Sequence, residues 1–270
     1  RRIDEAKRSY DLEQAAKHPN TFYGIQAVHA LSGNLSLSLS PETQTQDKLD
    51  KLLRVSSLRR AVALVQLGRE EEAGLELKAG YSAAAEKNKP RVIVLAAMLD
   101  MPSLQMQLAS SLISKGTVLD PSQYPMPAWQ PHGGYAIDPA LIFAIARQES
   151  GFNPEARSPA GAYGLMQLMP QTTRAILRRA DPKEKRAVLS QGGLRSPVGN
   201  ISLGQMYLNM LQQEANVGDN LVFLIASYNA GSASVARWQN ELDAESDPLL
   251  FIESIPFVET RAYVQHVLAN

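Results

Sequence analysis

The sequence has no cysteine. Disulfides, thiolate nucleophiles and Cys-ligated zinc are therefore excluded together, while the redox compartment stays open. Neither sign of charge is in excess, since 27 Lys and Arg stand against 27 Asp and Glu. A balanced surface offers no electrostatic ground for a nucleic-acid partner, nor for wholesale attraction to an anionic polymer. Long apolar runs are also missing. The longest, near Val92 to Leu99 and Leu221 to Ala226, fall far short of the roughly 18 residues a membrane span needs, so no transmembrane segment is expected. The four histidines, His18, His29, His132 and His266, lie apart without ligand spacing, and neither a metal nor another cofactor is expected. No phosphate-cradling loop or nucleophile elbow occurs; Gly192-Gly193 reads as a turn.

What is present is mostly helical. With 270 residues, one or two domains are the natural division, and the composition favours two. From Arg1 to about Gly116 apolar residues recur at three and four, as in Phe22, Ile25 and Val28, or Leu58, Val62 and Val65. Arg1 to Ala6 reads as the middle of a charged helix, with no apolar core of a signal peptide. Breakers at Pro19-Asn20, Gly33-Asn34, Gly68, Asn88 to Pro90 and Pro102 mark hairpins. Leu35 to Leu39 alternates as a strand would, but standing alone it reads as an extended connector. Aligning Ala63-Leu64-Val65-Gln66-Leu67-Gly68 with Ala97-Met98-Leu99-Asp100-Met101-Pro102 gives an offset of 34, the period of a tetratricopeptide-like helical pair. A short α-solenoid and an irregular helical bundle fit equally well.

The texture changes between Val118 and Asp138, where Pro121, Pro125, Pro127 and Pro131 precede Gly133-Gly134, with Trp129 and two tyrosines interspersed. Prolines at that density cannot continue a helix, and the aromatics predict a linker packed on a neighbour. The expected organisation is a helical, solenoid-like segment over 1–117, a linker over 118–136 and a second, mainly α domain with a small β component over 137–270. Helical signals in the latter resume at Pro139, Pro170 to Arg179, Ile201 to Glu214, Leu221 to Tyr228 and Thr260 to Leu268.

The run Asp138-Pro139-Ala140-Leu141-Ile142-Phe143-Ala144-Ile145-Ala146-Arg147-Gln148-Glu149-Ser150-Gly151 specifies one helix at both ends. Asp138 suits the N-cap, Pro139 the first position and Gly151 the C-terminal cap, with Pro154 barring continuation. Counting back by three and four from Glu149 reaches Ile145, Ile142 and Leu141, so the carboxyl leaves on the apolar stripe. Desolvation and the negative end of the helix dipole both disfavour its ionised form. A carboxylic acid that holds its proton near neutral pH is what protonation of a leaving glycosidic oxygen requires. The alternative is a helix-terminal glutamate that snorkels to water or pairs with Arg147 or Arg157.

Downstream, Gly161 and Gly164 permit close backbone approach by a ligand before Pro170 opens another helix. Met166 and Met169 read most simply as core filler. The ordered blocks Arg147-Gln148-Glu149-Ser150 with Phe152-Asn153-Pro154, Ser158 with Ala160-Gly161-Ala162, Gly164 to Pro170, Asn200-Ile201 with Gly204 and Tyr207-Leu208, Ser227 to Gly231, and Glu253 to Phe257 with Glu259-Thr260-Arg261 and Tyr263-Val264 resemble the soluble lytic murein transglycosylases. The likeness covers roughly residues 135 to 268. The catalytic domain of that family is lysozyme-like, of the goose type. The helical first half, with Thr21-Phe22-Tyr23-Gly24, resembles more loosely the superhelical arm of its large members. Arg195-Ser196-Pro197-Val198-Gly199 departs from the pattern, since family members often carry an acidic residue before the Asn-Ile pair.

The resemblance implies cleavage of the β-1,4 bond between N-acetylmuramic acid and N-acetylglucosamine with formation of a 1,6-anhydro ring. Glu149 would serve as acid and then base, without a second carboxylate. Read from the residues alone, Glu155, Asp181, Glu253 and Glu259 all remain available as a partner acid, and none stands in a telling spacing. By the same resemblance Ser158, Gln167 and Met169 line the sugar subsites, Tyr228 and Asn229 belong to the active centre, and Glu259 lies at the cleft. Tyr228 would position the carboxyl or bond near it; as an alternative it is a half-buried core tyrosine. Asn200 could simply cap its helix. The basic residues Arg178, Arg179, Lys183, Lys185 and Arg186 read as a solvated helix face. Partners would be peptidoglycan strands, with protein partners on the helical arm, and the location of that substrate implies the periplasm. A hydrolytic muramidase and a non-catalytic glycan-binding scaffold are the competing readings.

Overall fold

The computed structural model describes residues 5–32, 50–113, 121–241 and 247–270. The Leu35 to Leu39 alternation and the start of the Pro-rich stretch lie outside them. Two compact units form, one of Arg1–Leu31 with Trp129–Asn270 and the other of Ser32–Ala128. The first helices, α1 (Glu5–Ala16) and α2 (Phe22–Ser32), thus cluster with the C-terminal part of the chain, away from the segment expected to continue to 117. So do Trp129 to Ala136, expected as linker.

In the unit of residues 32–128, α3 (Ser56–Gln66), α4 (Glu70–Ala83), α5 (Lys89–Met98) and α6 (Pro102–Ile113) make two consecutive helical hairpins. Leu58, Leu77, Val92, Ile93 and Ala96 are fully or almost fully buried between them. A Cβ on Gly80 would lie 2.2 Å from Leu58 Cδ2, so α3 and α4 meet at van der Waals contact because that position has no side chain. Tyr81 binds α4 to α6 by donating to Leu108 O at 3.2 Å. The two hairpins turn alike, though not at the positions that the sequence alignment pairs. Gly68 and Asp100 both have positive φ, and around them Gly68 N bonds Val65 O and Arg69 N bonds Leu64 O, as Asp100 N bonds Ala97 O and Met101 N bonds Ala96 O. The equivalent turns are thus 32 positions apart (Gly68 to Asp100), not 34, because turn geometry fixes the match and apolar letters do not.

The other unit is helical as well. It holds α7 (Pro139–Ser150), α8 (Pro170–Arg179), α9 (Pro182–Ser190), α10 (Pro197–Gln212), α11 (Leu221–Ala230), α12 (Ser232–Glu241), α13 (Pro248–Ser254) and α14 (Val258–Ala269). Among the described residues its β component is two antiparallel bridges, Arg157 with Tyr163 and Tyr163 with Leu168. Local signals explain most starts. Asp138 accepts from Ala140 N, Asp181 forms a capping box with Glu184, Ser196 accepts from Gly199 N, and Asn220 accepts from Val222 and Phe223 N. Ser196 caps α10, whose first residue Pro197 lies four positions before the expected Ile201, which puts Asn200 inside the helix instead of at its cap. The segment after Trp129 is packed, as its aromatics predict: Tyr135 donates to Trp129 O at 2.5 Å, and Gln205 of α10 bonds both Ala136 N and Gly134 O.

Candidate active site

The site is built on the end of α7. Ile142 and Ile145 on that helix are completely buried, and Gly151 closes it with φ of 56°, its N–H bonding Arg147 O. Glu149 therefore emerges from the core face as the helix stops. Its carboxyl is pushed up to about 7, chiefly by burial and against the lowering effect of a hydrogen bond from Tyr263. That bond, Tyr263 Oη to Glu149 Oε1, is 2.7 Å long. No ion pair to Arg147 or Arg157 accompanies it among the described residues.

Tyr263 lies on α14 and is 5% exposed. Its phenol is raised well above the ordinary tyrosine value by burial and by the charge of Glu149. Tyr228 on α11 is raised for the same two reasons, and burial raises Tyr207 on α10. All three phenols thus remain protonated at neutral pH, and Tyr263 stays a donor in either state of Glu149. The Tyr207 and Tyr228 rings are tilted against each other with centroids 5.2 Å apart. The Tyr228 hydroxyl donates not to the carboxyl but to Met166 O at 2.8 Å. The expectation had Tyr228 position the carboxyl or bond near it; in the structure its hydroxyl holds the neighbouring loop, and the charge of Glu149 is felt by its phenol. In the sequence Tyr263 stands only as part of a motif, with nothing to single it out as the partner of Glu149. The available signal was its place on the buried stripe Thr260, Tyr263, Val264 and Val267, where a phenol needs a partner for its hydroxyl.

The loop 152–169 forms the adjoining wall. Ser150 Oγ donates to Leu165 O at 2.8 Å and ties the loop to the end of α7. Asn200, 1% exposed, crosses from α10: its Oδ1 accepts from Met166 N at 2.9 Å, and its Nδ2 donates to Tyr163 O and Leu194 O. A Cβ on Gly164 would lie 2.2 Å from Asn200 Nδ2, so this approach requires the glycine. Met166 is fully buried, its sulfur filling the space over Gly204, whereas Met169 is half-buried at the N-cap of α8. Gln167 has φ of 44°, uncommon for a residue with a side chain. Its Nε2 donates to Gly164 O and Ala156 O, which ties the amide to the loop. Ser158 is half-buried, and its hydroxyl accepts from Ala162 N at 3.0 Å.

Neither of the other expected residues, Asn229 and Glu259, hydrogen-bonds Glu149 among the described residues. Asn229 is exposed and accepts from Thr260 Oγ1 at 2.7 Å, linking α11 to α14. Glu259 is exposed on the first turn of α14. Three possible partner acids have other work: Glu155 accepts from Tyr163 Oη, Asp181 caps α9, and Glu253 accepts from Tyr23 Oη and Gln265 Nε2.

Fold and site together define a class of helical domain in which one buried, proton-exchanging carboxyl stands at the end of a core helix. Residues 128–251 match the family described as the transglycosylase SLT domain. This part of the chain, a little under half of it, is thus an SLT-type domain. The chain is 43% identical over 137 residues to the soluble lytic murein transglycosylase of Escherichia coli, a match covering 50% of this chain and 20% of that protein. It is 34% identical over 142 residues to the endo-type membrane-bound lytic murein transglycosylase A of Klebsiella pneumoniae, covering 50% of this chain and 65% of the relative. Among solved structures, the 70 kDa soluble lytic transglycosylase of Escherichia coli superposes with a TM-score of 0.74 at 27% identity, over 98% of this chain and 42% of that one. An inactive Glu-to-Gln mutant of the lytic transglycosylase Slt from Pseudomonas aeruginosa gives 0.65 at 28%, over 97% and 42%. The chain therefore spans about a fifth of the soluble curated relatives and well under half of these solved chains.

Proposed function

We propose that the domain is a peptidoglycan lytic transglycosylase with Glu149 as its acid and then its base. The observation that carries this reading is a carboxyl pushed up to about 7 with one oxygen already occupied by Tyr263. At neutral pH a large share of it is protonated, and the proton resides on the other oxygen, free to pass to the oxygen joining N-acetylmuramic acid to N-acetylglucosamine. As that bond breaks, Glu149 becomes a carboxylate that Tyr263 stabilises. The substrate's acetamido group supports the oxocarbenium-like carbon. Glu149 then takes the proton of the C6 hydroxyl while its oxygen bonds to C1, closing the 1,6-anhydro ring without water.

Glu155, Asp181 and Glu253 are engaged by other protein groups and Glu259 stands exposed on the first turn of α14, so among the described residues none of the four shares a hydrogen bond with Glu149, which supports the single-carboxylate route. Ser158, Gln167, Met169, Asn229 and Glu259 are assigned to the sugar-binding groove around it. The relatives named for murein support a cell-wall substrate, and from it a periplasmic location. The helical hairpins of residues 56–113 are assigned to the arm, as a surface for protein partners. Digestion of purified sacculi followed by mass spectrometry tests the reaction. Anhydro-muropeptides are expected; reducing-end muropeptides would replace this reading with a hydrolytic muramidase, and no products from wild type with intact binding would leave a scaffold.

A further inference from the structure

Three phenols near Glu149 act on one another, since Tyr207 raises both Tyr228 and Tyr263. Two of them are committed within the protein: Tyr263 donates to Glu149 Oε1 and Tyr228 to Met166 O. Tyr207 is not. Its ring rests on that of Tyr228 with centroids 5.2 Å apart, yet among the described residues its hydroxyl hydrogen-bonds no other protein group. A phenol enclosed by protein finds an acceptor for its hydroxyl. Tyr207 is only half-buried, and its oxygen is not one of the polar atoms shut away from solvent without a partner. The direction of the side chain follows from the helix. Tyr207 shares a face of α10 with Gly204, one turn before it, and with Asn200, two turns before it. Those two seat Met166, Asn200 through the bond to Met166 N and Gly204 through the space left for Met166 Sδ. The ring thus lies between the loop wall and α11. Glu149 is not among the causes that raise Tyr207, although it raises both of the other phenols, so Tyr207 stands one step further from the carboxyl.

We infer that the Tyr207 hydroxyl is a substrate contact, hydrogen-bonding a hydroxyl or acetamido group of a sugar beside the bond that is cut. Burial keeps this phenol protonated at neutral pH, so it can donate one bond and accept another. That capacity suits the neutral hydroxyls and amides of an N-acetylated glycan. The inference rests on the glycan-cleaving reading, which supplies the ligand, and adds a residue which that reading does not use. Because the contact lies away from the proton of Glu149, it serves to hold and align the strand, and leaves the titration of the acid alone.

Tyr207→Phe tests it, because the ring stays against Tyr228 and only the oxygen is lost. With no bond inside the protein to break, the urea midpoint should remain that of wild type. On soluble, uncrosslinked glycan strands KM should rise about two- to tenfold, the worth of one neutral hydrogen bond. The alkaline limb of the kcat profile should stay in place, since Tyr263 on α14 and Tyr228 on α11 still face Glu149. Co-sedimentation of E149Q and of the E149Q/Y207F double variant with sacculi reads binding without turnover, and the double variant should bind more weakly by a similar factor. Unchanged KM together with unchanged co-sedimentation overturns the inference. So does a loss of binding that comes with a lowered urea midpoint, which would make Tyr207 a packing residue. The two readings fail separately. If wild type forms anhydro-muropeptides and Y207F matches it in KM and binding, only the contact is wrong; if wild type forms none, the cleavage reading falls and the co-sedimentation pair still decides the contact.

Discussion

Glu149→Gln should make the protein more stable in alkali and leave it nearly unchanged in acid. Glutamine has the shape of the protonated acid and still accepts from Tyr263. Glu149 titrates at about 7 in the fold against an ordinary 4.5, so the native state holds this proton more tightly than the unfolded chain. Below pH 4.5 both states are protonated and the group contributes no pH dependence. Between 4.5 and about 7 the unfolded state has lost the proton and the native state has not, so wild-type stability declines as pH rises; above 7 the loss is complete. A shift of about 2.5 units at about 1.4 kcal/mol each amounts to about 3 kcal/mol. Urea denaturation of both proteins at pH 4.5, 6 and 8, following the transition of the unit that holds Glu149, checks it. The difference between E149Q and wild type should grow along that series, levelling off near 3 kcal/mol. A difference that does not change with pH would show that burial does not hold this carboxyl protonated, and the proposed acid role would lose its physical basis.

Three other perturbations follow from the same geometry. Tyr263→Phe removes the bond that lowers the Glu149 pKa, so the alkaline limb of the kcat profile, set by loss of the acid's proton near pH 7, should move to higher pH, with about 1 kcal/mol lost in stability; a limb that stays in place refutes the coupling. Asn200→Ala deletes three buried bonds to Met166, Tyr163 and Leu194 and should cost about 3 kcal/mol on denaturation. Asn200→Asp should be no better, because it sets a charge against two carbonyls; near-wild-type stability of Asn200→Asp would contradict this. Gly204→Ala would place a Cβ 2.0 Å from Met166 Sδ, displacing the residue whose carbonyl receives Tyr228, and should cost about 1–3 kcal/mol together with activity, read by denaturation and turnover on sacculi.

The parts legible in the sequence are those specified by neighbours along the chain. Asp138, Pro139 and Gly151 bracket α7 whatever the rest of the protein does, and the apolar stripe of that helix fixes the direction of Glu149. Asn200 could not be read this way. A buried asparagine and a capping asparagine look alike in sequence, and the bond that decides between them reaches Met166, 34 positions away. The association of the residues up to Leu31 with the C-terminal unit was hidden for the same reason: Tyr23 meets Glu253 across 230 positions, and an amphipathic helix does not state what covers it. The offset of 34 misses the likeness of the Gly68 and Asp100 turns because apolar letters recur in every helix, whereas a positive φ marks a particular turn.

The two tyrosines show where motif resemblance ends and geometry begins. Both Tyr228 and Tyr263 lie in blocks that resemble one family, both are buried, and each must place its hydroxyl on an acceptor. Nothing in the sequence says which acceptor each takes. The loop decides, since Asn200 and Ser150 draw Leu165 and Met166 toward the end of α7, and the Met166 carbonyl then lies 2.8 Å from Tyr228. Tyr228 is thereby committed to the wall of the groove, and the carboxyl is left to Tyr263. Replacing Tyr228 should consequently disturb the loop first, raising KM, while replacing Tyr263 should act first on the proton of Glu149 and move the pH profile. If the two phenylalanine variants proved kinetically alike, with the same change in KM and the same alkaline limb, the division of labour between these hydroxyls would be wrong.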